Sequence, residues 1–205
     1  MKKNLICLLS SALLVTTSMA MSQEMARGKV YEDVNRNGKL DKKEKGIGNV
    51  AVSNGVEVVL TDANGNYELP VKDDNIIFVI KPNGYSIPLD KVNLAKSYYI
   101  HKPQGSPKDL QYEGVLPTGP LPKPIDFALN KTVESDQFRI LVFGDPQAYT
   151  AQEMTFFNRA IVDEVVGIKG IAFGLSLGDL VGDDLSLDPS YKASIARIGL
   201  PWYNL

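Results

Sequence analysis

The chain has 205 residues, 44% of them hydrophobic and 22% charged, with a net charge of −2. That balance excludes a disordered or fibrous chain, and so small a charge supplies no field to hold nucleic acid or anionic lipid. The length allows one or two domains.

Residues 1–20 have the pattern of a secretory signal peptide. Lys2 and Lys3 form a positive start, Leu5 to Val15 is apolar apart from Ser10 and Ser11, and Ser18-Met19-Ala20 is a small-x-small cleavage site. The apolar run is shorter than the roughly 20 residues that a spanning helix needs, so no membrane span is expected in the mature chain. Cleavage before Met21 removes two lysines and no acidic residue, taking the net charge from −2 to −4. It also removes Cys7, the single cysteine. A chain without thiols suits an oxidising compartment, periplasmic or secreted, but it cannot form disulfides. It must hold together by its core, or by a metal.

From Arg27 to about Leu129 the pattern is one of short strands and turns. Arg27–Tyr31 reads as a strand. The stretch after it, with Asp33, Asn35, Asn37, Gly38, Asp41 and Glu44, fits the calcium-loop spacing D-x-[DN]-x-[DN]-G-x5-E. Oxygen ligands at alternate positions can wrap one Ca²⁺, with Gly38 at the sharp turn. The competing reading is an Asx-turn that needs no ion, since Arg36, Lys39, Lys42 and Lys43 already offset the carboxylates.

Val50–Ser53, Val56–Thr61, Tyr67–Val71 and Ile76–Lys81 read as strands, with Asn64-Gly65 a hairpin signal and Pro82-Asn83-Gly84 another turn. Residues 103–124 hold six of the twelve prolines and read as a long loop, because Ile125–Leu129 looks like one more strand. Several short strands at this spacing predict a β-sandwich over residues 21–130, with a polar boundary at Asn130–Gln137.

Beyond the boundary the pattern changes. Phe138–Phe143 predicts a strand ending in Gly144-Asp145, and Thr150-Ala-Gln-Glu153 is a capping box. Met154, Phe157, Ile161 and Val165 then mark one face of a helix. Ile171–Leu177 is a second strand, ending in Gly178-Asp179. This is a βαβ unit with parallel strands. Pro189–Arg197 predicts a further helix, and Pro201–Leu205 begins what reads as a third strand. The fold class is therefore mixed: an all-β sandwich-like domain followed by a partial α/β domain over residues 138–205.

Two strands that both end in Gly-Asp are the main chemical signal: FGDPQ at 143–147 and LGDLVGDD at 177–184. Ligands of a parallel sheet gather beyond the carboxyl ends of its strands. Two carboxylates brought together there repel unless a proton or a cation separates them, and a divalent metal does this well.

In these residues the chain resembles the calcineurin-like metallophosphoesterase family, which combines a D-x-H or D-P-Q strand end with a G-D-x-x-x-D strand end. The resemblance makes Asp145, Gln147 and Asp179 metal ligands, with Asp179 bridging two metals, and Asp183 an outer acidic position. It implies two divalent metals (Mn, Zn or Fe) and a phosphate-ester substrate. The loop at 33–44 is similar to strand-flanked loops of secreted β-sandwich modules, including the domain ahead of some members of this family. The family's later motif G-N-H-D/E and its metal-binding histidines have no counterpart here. The one histidine, His101, is expected to be an ordinary strand or loop residue. The implied catalytic residues would thus follow Leu205, and the chain reads as the front part of an exported phosphoesterase, inactive alone. The competing function is a non-enzymatic exported module, binding calcium, sugar or a partner through its β-domain and carrying a vestigial phosphoesterase remnant; an adhesin fragment is a third reading.

Overall fold

The structure, a computed structural model, describes residues 23–205, so the expected signal peptide and its cleavage point lie outside the described residues. The first eight strands are β1 (Glu24–Glu32), β2 (Ala51–Ser53), β3 (Val58–Leu60), β4 (Asn66–Val71), β5 (Asn75–Val79), β6 (Tyr85–Ser86), β7 (Tyr98–His101) and β8 (Phe127–Lys131). They form two sheets, in the orders β4-β1-β8-β6 and β3-β2-β5-β7. β1 runs antiparallel to β4 and parallel to β8.

Alternation explains why these segments make a sandwich. In β4, Tyr67, Leu69 and Val71 turn inward while Asn66 and Glu68 face solvent. Val30, Val52, Leu69, Ile77 and Leu129 are fully buried between the sheets. Each such side chain contributes about 1.5–3 kcal/mol relative to exposure. Gly28 is a packing requirement, because a Cβ there would stand 1.8 Å from the Ile125 carbonyl oxygen.

The Asn64-Gly65 turn does not close a hairpin. β3 pairs with β2 and β4 with β1, so the turn carries the chain from one sheet to the other. The Asp62 carboxylate fixes it by accepting from the Asn64 and Asn66 backbone N–H groups, both at 2.8 Å, and Val30 N–H ties it to β1 through the Gly65 carbonyl at 2.8 Å. The proline-rich stretch lies between β7 and β8. Its end enters the core with Leu121 and Ile125, and Ile125 N–H donates to the Arg27 carbonyl at 2.8 Å.

The remaining strands, β9 (Ile140–Phe143), β10 (Phe173–Ser176) and β11 (Trp202–Asn204), form a third sheet, ordered β11-β10-β9 and parallel throughout. Helix α1 (Ala151–Phe157) starts with half of the expected capping box: the N-cap Thr150 Oγ1 accepts from Glu153 N–H at 3.1 Å, while the Glu153 carboxylate reaches one residue further back and accepts from Tyr149 N–H at 2.6 Å. A π-helical segment at Asn158–Val162 follows, then α2 (Asp163–Val165). The extra residue of the π turn moves the buried face by one position. Val162 is fully buried and the expected Ile161 is exposed, which corrects the face read from a regular period of 3.6.

A 3-10 turn (Leu185–Leu187) leads into α3 (Asp188–Ala196), which sets Tyr191 and Ile195 in a second core with Phe143, Met154 and Trp202. This core joins the sandwich along β11. Trp202 N–H donates to the Asn93 carbonyl at 2.9 Å, Leu94 bridges Trp202 in parallel fashion, and Asn93 Nδ2 donates to the Ala196 carbonyl at 3.0 Å. Among the described residues no helix is long and apolar enough to cross a membrane.

Candidate metal centre at the strand ends

Parallel pairing places the two Gly-Asp turns side by side. β9 and β10 run in register from Ile140–Phe173 to Phe143–Ser176. Pairing then continues into the loops. Leu177 N–H donates to the Phe143 carbonyl at 3.1 Å, Gln147 N–H to the Asp179 carbonyl at 2.8 Å, and Gly182 N–H to the Ala148 carbonyl at 2.9 Å. The D-P-Q and G-D-x-x-x-D segments are thus fastened to each other by backbone hydrogen bonds.

Gln147 and Asp179 both have left-handed backbone, with φ of 36° and 41°. For residues other than glycine this conformation costs roughly 1–3 kcal/mol and persists where the surroundings impose it. The two strained residues are the two that share the 2.8 Å hydrogen bond.

Beneath the turns the packing is rigid. The Phe143 ring meets Phe157 edge-on at 5.7 Å and Trp202 at 5.0 Å. Ser176, three residues before Asp179, is fully buried; its Oγ accepts from Trp202 Nε1 at 2.8 Å and shares a hydrogen bond with the Tyr191 hydroxyl. Burial of Tyr191 raises its pKa above the ordinary 10.0. Trp202 also limits the strand above it, since a Cβ on Gly174 would stand 2.0 Å from the indole ring.

Asp145, Asp179 and Asp183 are exposed and Gln147 is half-buried. A cleft of about 670 Å³ is lined by Asp145, Gln147, Glu153 and Phe156. Its lining comes from the end of β9, the turn after it and the helical segment that follows. Tyr112, from the proline-rich loop, reaches the second motif: its hydroxyl donates to the Asp183 carbonyl at 3.1 Å and lies 3.4 Å from Asp184 Oδ1. The Asp184 carboxyl is held below its ordinary pKa by the hydrogen bond from Ser186, with a smaller contribution from Tyr112. No motif points to Tyr112; only the long-range fold brings it there.

Asp145, Gln147 and Asp179 are three oxygen donors suited to the shell of one hard or borderline cation. Two ions about 4 Å apart, each with four or more ligands, need more than this set. The fit is therefore partial.

The loop at 33–44 satisfies its own polar groups. Asp33, 3% exposed, accepts from Asn37 N–H at 3.1 Å and Gly38 N–H at 2.8 Å. Glu44 accepts from Val34 and Asp41 N–H, both at 2.9 Å, and Asp41 Oδ2 accepts from the Asn35 and Asn37 side-chain amides at 2.7 and 2.9 Å. Gly38 takes φ of 70° at the turn. Burial, then the charges of Asp33 and Glu44, push the neighbouring Tyr31 phenol up to about 12. Among the described residues, one trio of possible ligands does bring its donor atoms within 4.8 Å of one another, and it lies elsewhere: Glu24, Asp73 and His101.

The architecture defines a class, a β-sandwich joined to a parallel α/β unit whose two Gly-Asp strand ends lie side by side. Comparison with known families makes this specific, for residues 34–115 match the model of the N-terminal domain of calcineurin-like phosphoesterase. That match falls on a stretch of sequence separate from the motifs at 143–147 and 177–183, and it supports the family resemblance those motifs carry. No curated protein matches the chain.

Proposed function

We propose that the chain is the N-terminal part of an exported, metal-dependent phosphoesterase that hydrolyses phosphate esters at a dinuclear centre. The carrying observation is the pairing of the two motifs: Gln147 N–H on the Asp179 carbonyl at 2.8 Å, with both residues in left-handed backbone. Strain stored at two adjacent positions beyond parallel strands suits a site that fixes ligand direction. In this reading Asp145, Gln147 and Asp179 contribute metal ligands, Asp179 bridges the metals, and Asp183 supports the second loop. The family match over residues 34–115 supports the same reading from the sandwich side. Export rests on the signal-peptide pattern of residues 1–20.

The 205 residues alone are expected to be inactive, because His101, the one imidazole, lies in the sandwich. Sequencing the coding region beyond Leu205 tests the proposal. A G-N-H-D/E motif followed by G-H-x-H, in frame or after a frameshift, supports it; their absence favours the non-enzymatic exported module.

A further inference from the structure

His101 is the one histidine of the chain, and its side chain is fully buried, 0% exposed, on β7. Among the described residues, neither ring nitrogen has a hydrogen-bond partner. A buried polar group left unpaired costs about 1–3 kcal/mol, so the environment is built for something else. Nε2 stands 3.5 Å from Glu24 Oε2.

The topology explains what is gathered there. Glu24 is the first residue of β1 and lies opposite Val71 of β4. His101 ends β7 and lies opposite Asn75 of β5. Asp73 sits midway in the connection from β4 to β5, which passes from one sheet to the other. One residue thus comes from each sheet and a third from the link between them. A ligand atom from each of Glu24, Asp73 and His101 lies within 4.8 Å of the others. Glu24 and Asp73 are exposed, so the trio opens to solvent with the imidazole at its floor.

We propose that Glu24, Asp73 and His101 form a binding site for one zinc ion, which clips the two sheets of the sandwich together. Zinc takes imidazole nitrogen and carboxylate oxygen at about 2.0–2.2 Å in tetrahedral geometry, which sets two ligand atoms on the same ion roughly 3.4 Å apart. The 3.5 Å between Nε2 and Oε2 is that spacing. It is long for a hydrogen bond and right for two ligands of one ion. Asp73 closes the third position and water the fourth. The two carboxylates balance the ion's charge. Lys102, next to His101, is already paired with Asp74 and does not oppose it. In a mature chain without cysteine, this is a cross-link made without a disulfide. It is separate from Asp145, Gln147 and Asp179 and does not depend on the proposed reaction.

The single histidine makes the test direct. The purified chain is stripped with EDTA and titrated with zinc alone while the imidazole ¹⁵N and ¹H resonances of His101 are followed by NMR and the melting temperature is measured. The expected result is a shift of those resonances complete at one zinc per chain, with a rise in melting temperature. Asp73→Asn, at an exposed position that leaves the core intact, is expected to weaken zinc by at least about tenfold, the loss seen even for outer-shell partners. Asp179→Asn is expected to leave the His101 response unchanged. His101→Gln is expected to lose the zinc-dependent rise, and Asp73→Asn decides the matter if that variant does not fold. His101 resonances that stay in place with zinc, or a response lost in Asp179→Asn and kept in Asp73→Asn, would overturn the proposal.

Discussion

Ser176→Ala tests the support under the second Gly-Asp turn. Ser176 Oγ is a shared partner: it accepts from Trp202 Nε1 at 2.8 Å and hydrogen-bonds the Tyr191 hydroxyl, and all three residues are fully buried. Removing one oxygen leaves an indole N–H and a phenol hydroxyl without a partner. A buried donor so stranded costs about 1–3 kcal/mol, giving a loss of roughly 2–6 kcal/mol for the pair. That is a large fraction of the ~5–15 kcal/mol that ordinarily holds a domain folded. Tyr191→Phe in the same chain removes one of the stranded groups, so the double variant is expected to recover about 1–3 kcal/mol relative to additivity. Urea unfolding followed by the fluorescence of Trp202, the one tryptophan of the chain, reads both quantities from inside the network. A loss below about 0.5 kcal/mol, the scatter of uninvolved positions, or strict additivity, would mean that Ser176 does not hold Trp202 and Tyr191 in place.

Gly174→Ala sets a methyl against the Trp202 ring, where an ideal Cβ stands 2.0 Å from the indole, and is expected to cost about 1–3 kcal/mol in the same unfolding assay. Asp33→Ala is expected to cost about 1–3 kcal/mol without any added ion, because Asn37 and Gly38 lose the carboxylate they donate to; a neutral effect would mean that the loop holds without its cap. Calcium is expected to raise the melting temperature only at about 10⁻⁴–10⁻³ M, the range of extracellular modules, with the rise lost in Asp33→Ala; a parent that does not respond assigns the loop to an Asx-turn alone. Glu134 is held below its ordinary pKa of 4.5 by Lys81 first and by Gly84 N–H second. Its contribution is therefore complete above pH 4.5 and lost as pH falls through the folded-state pKa, so Glu134→Gln should lower the melting temperature at pH 7 and match the parent in strong acid.

The strands that the sequence shows best are those whose valines and leucines alternate, such as β4, and those that end in Gly-Asp. β6 and β7 fall outside the expected strands. β6 is two residues long, and β7, Tyr98–His101, gains its place from pairing with β5 some twenty residues earlier. The parallel pairing of β1 with β8 joins residues about a hundred positions apart, and no local period encodes it. The helix face shifted at Val162 because a π turn leaves no mark in the spacing of apolar residues. At the strand ends, Asp145 and Asp179 were legible because each follows a glycine after an apolar strand. The left-handed backbone of Gln147 was not, since nothing in its side chain asks for it. His101 read as an ordinary strand or loop residue, because Glu24 and Asp73 reach it only through the crossing between sheets.

If Asp145, Gln147 and Asp179 are the opening half of a phosphoesterase centre, they should support turnover once the rest of the centre is supplied. The most direct test is an assay with p-nitrophenyl phosphate and bis-p-nitrophenyl phosphate, with Mn²⁺, Zn²⁺ or Fe²⁺ added. Two proteins are compared: the 205-residue chain, and the same chain joined to a downstream half that carries the G-N-H-D/E and histidine motifs. Metal-dependent turnover is expected from the joined chain, with its loss in Asp179→Asn, and none from the 205 residues alone, where three proposed ligands cannot fix a nucleophile opposite a leaving group. Metal-dependent turnover by the 205-residue chain, lost in Asp179→Asn, would contradict the account, and so would a joined chain whose turnover does not need Asp179.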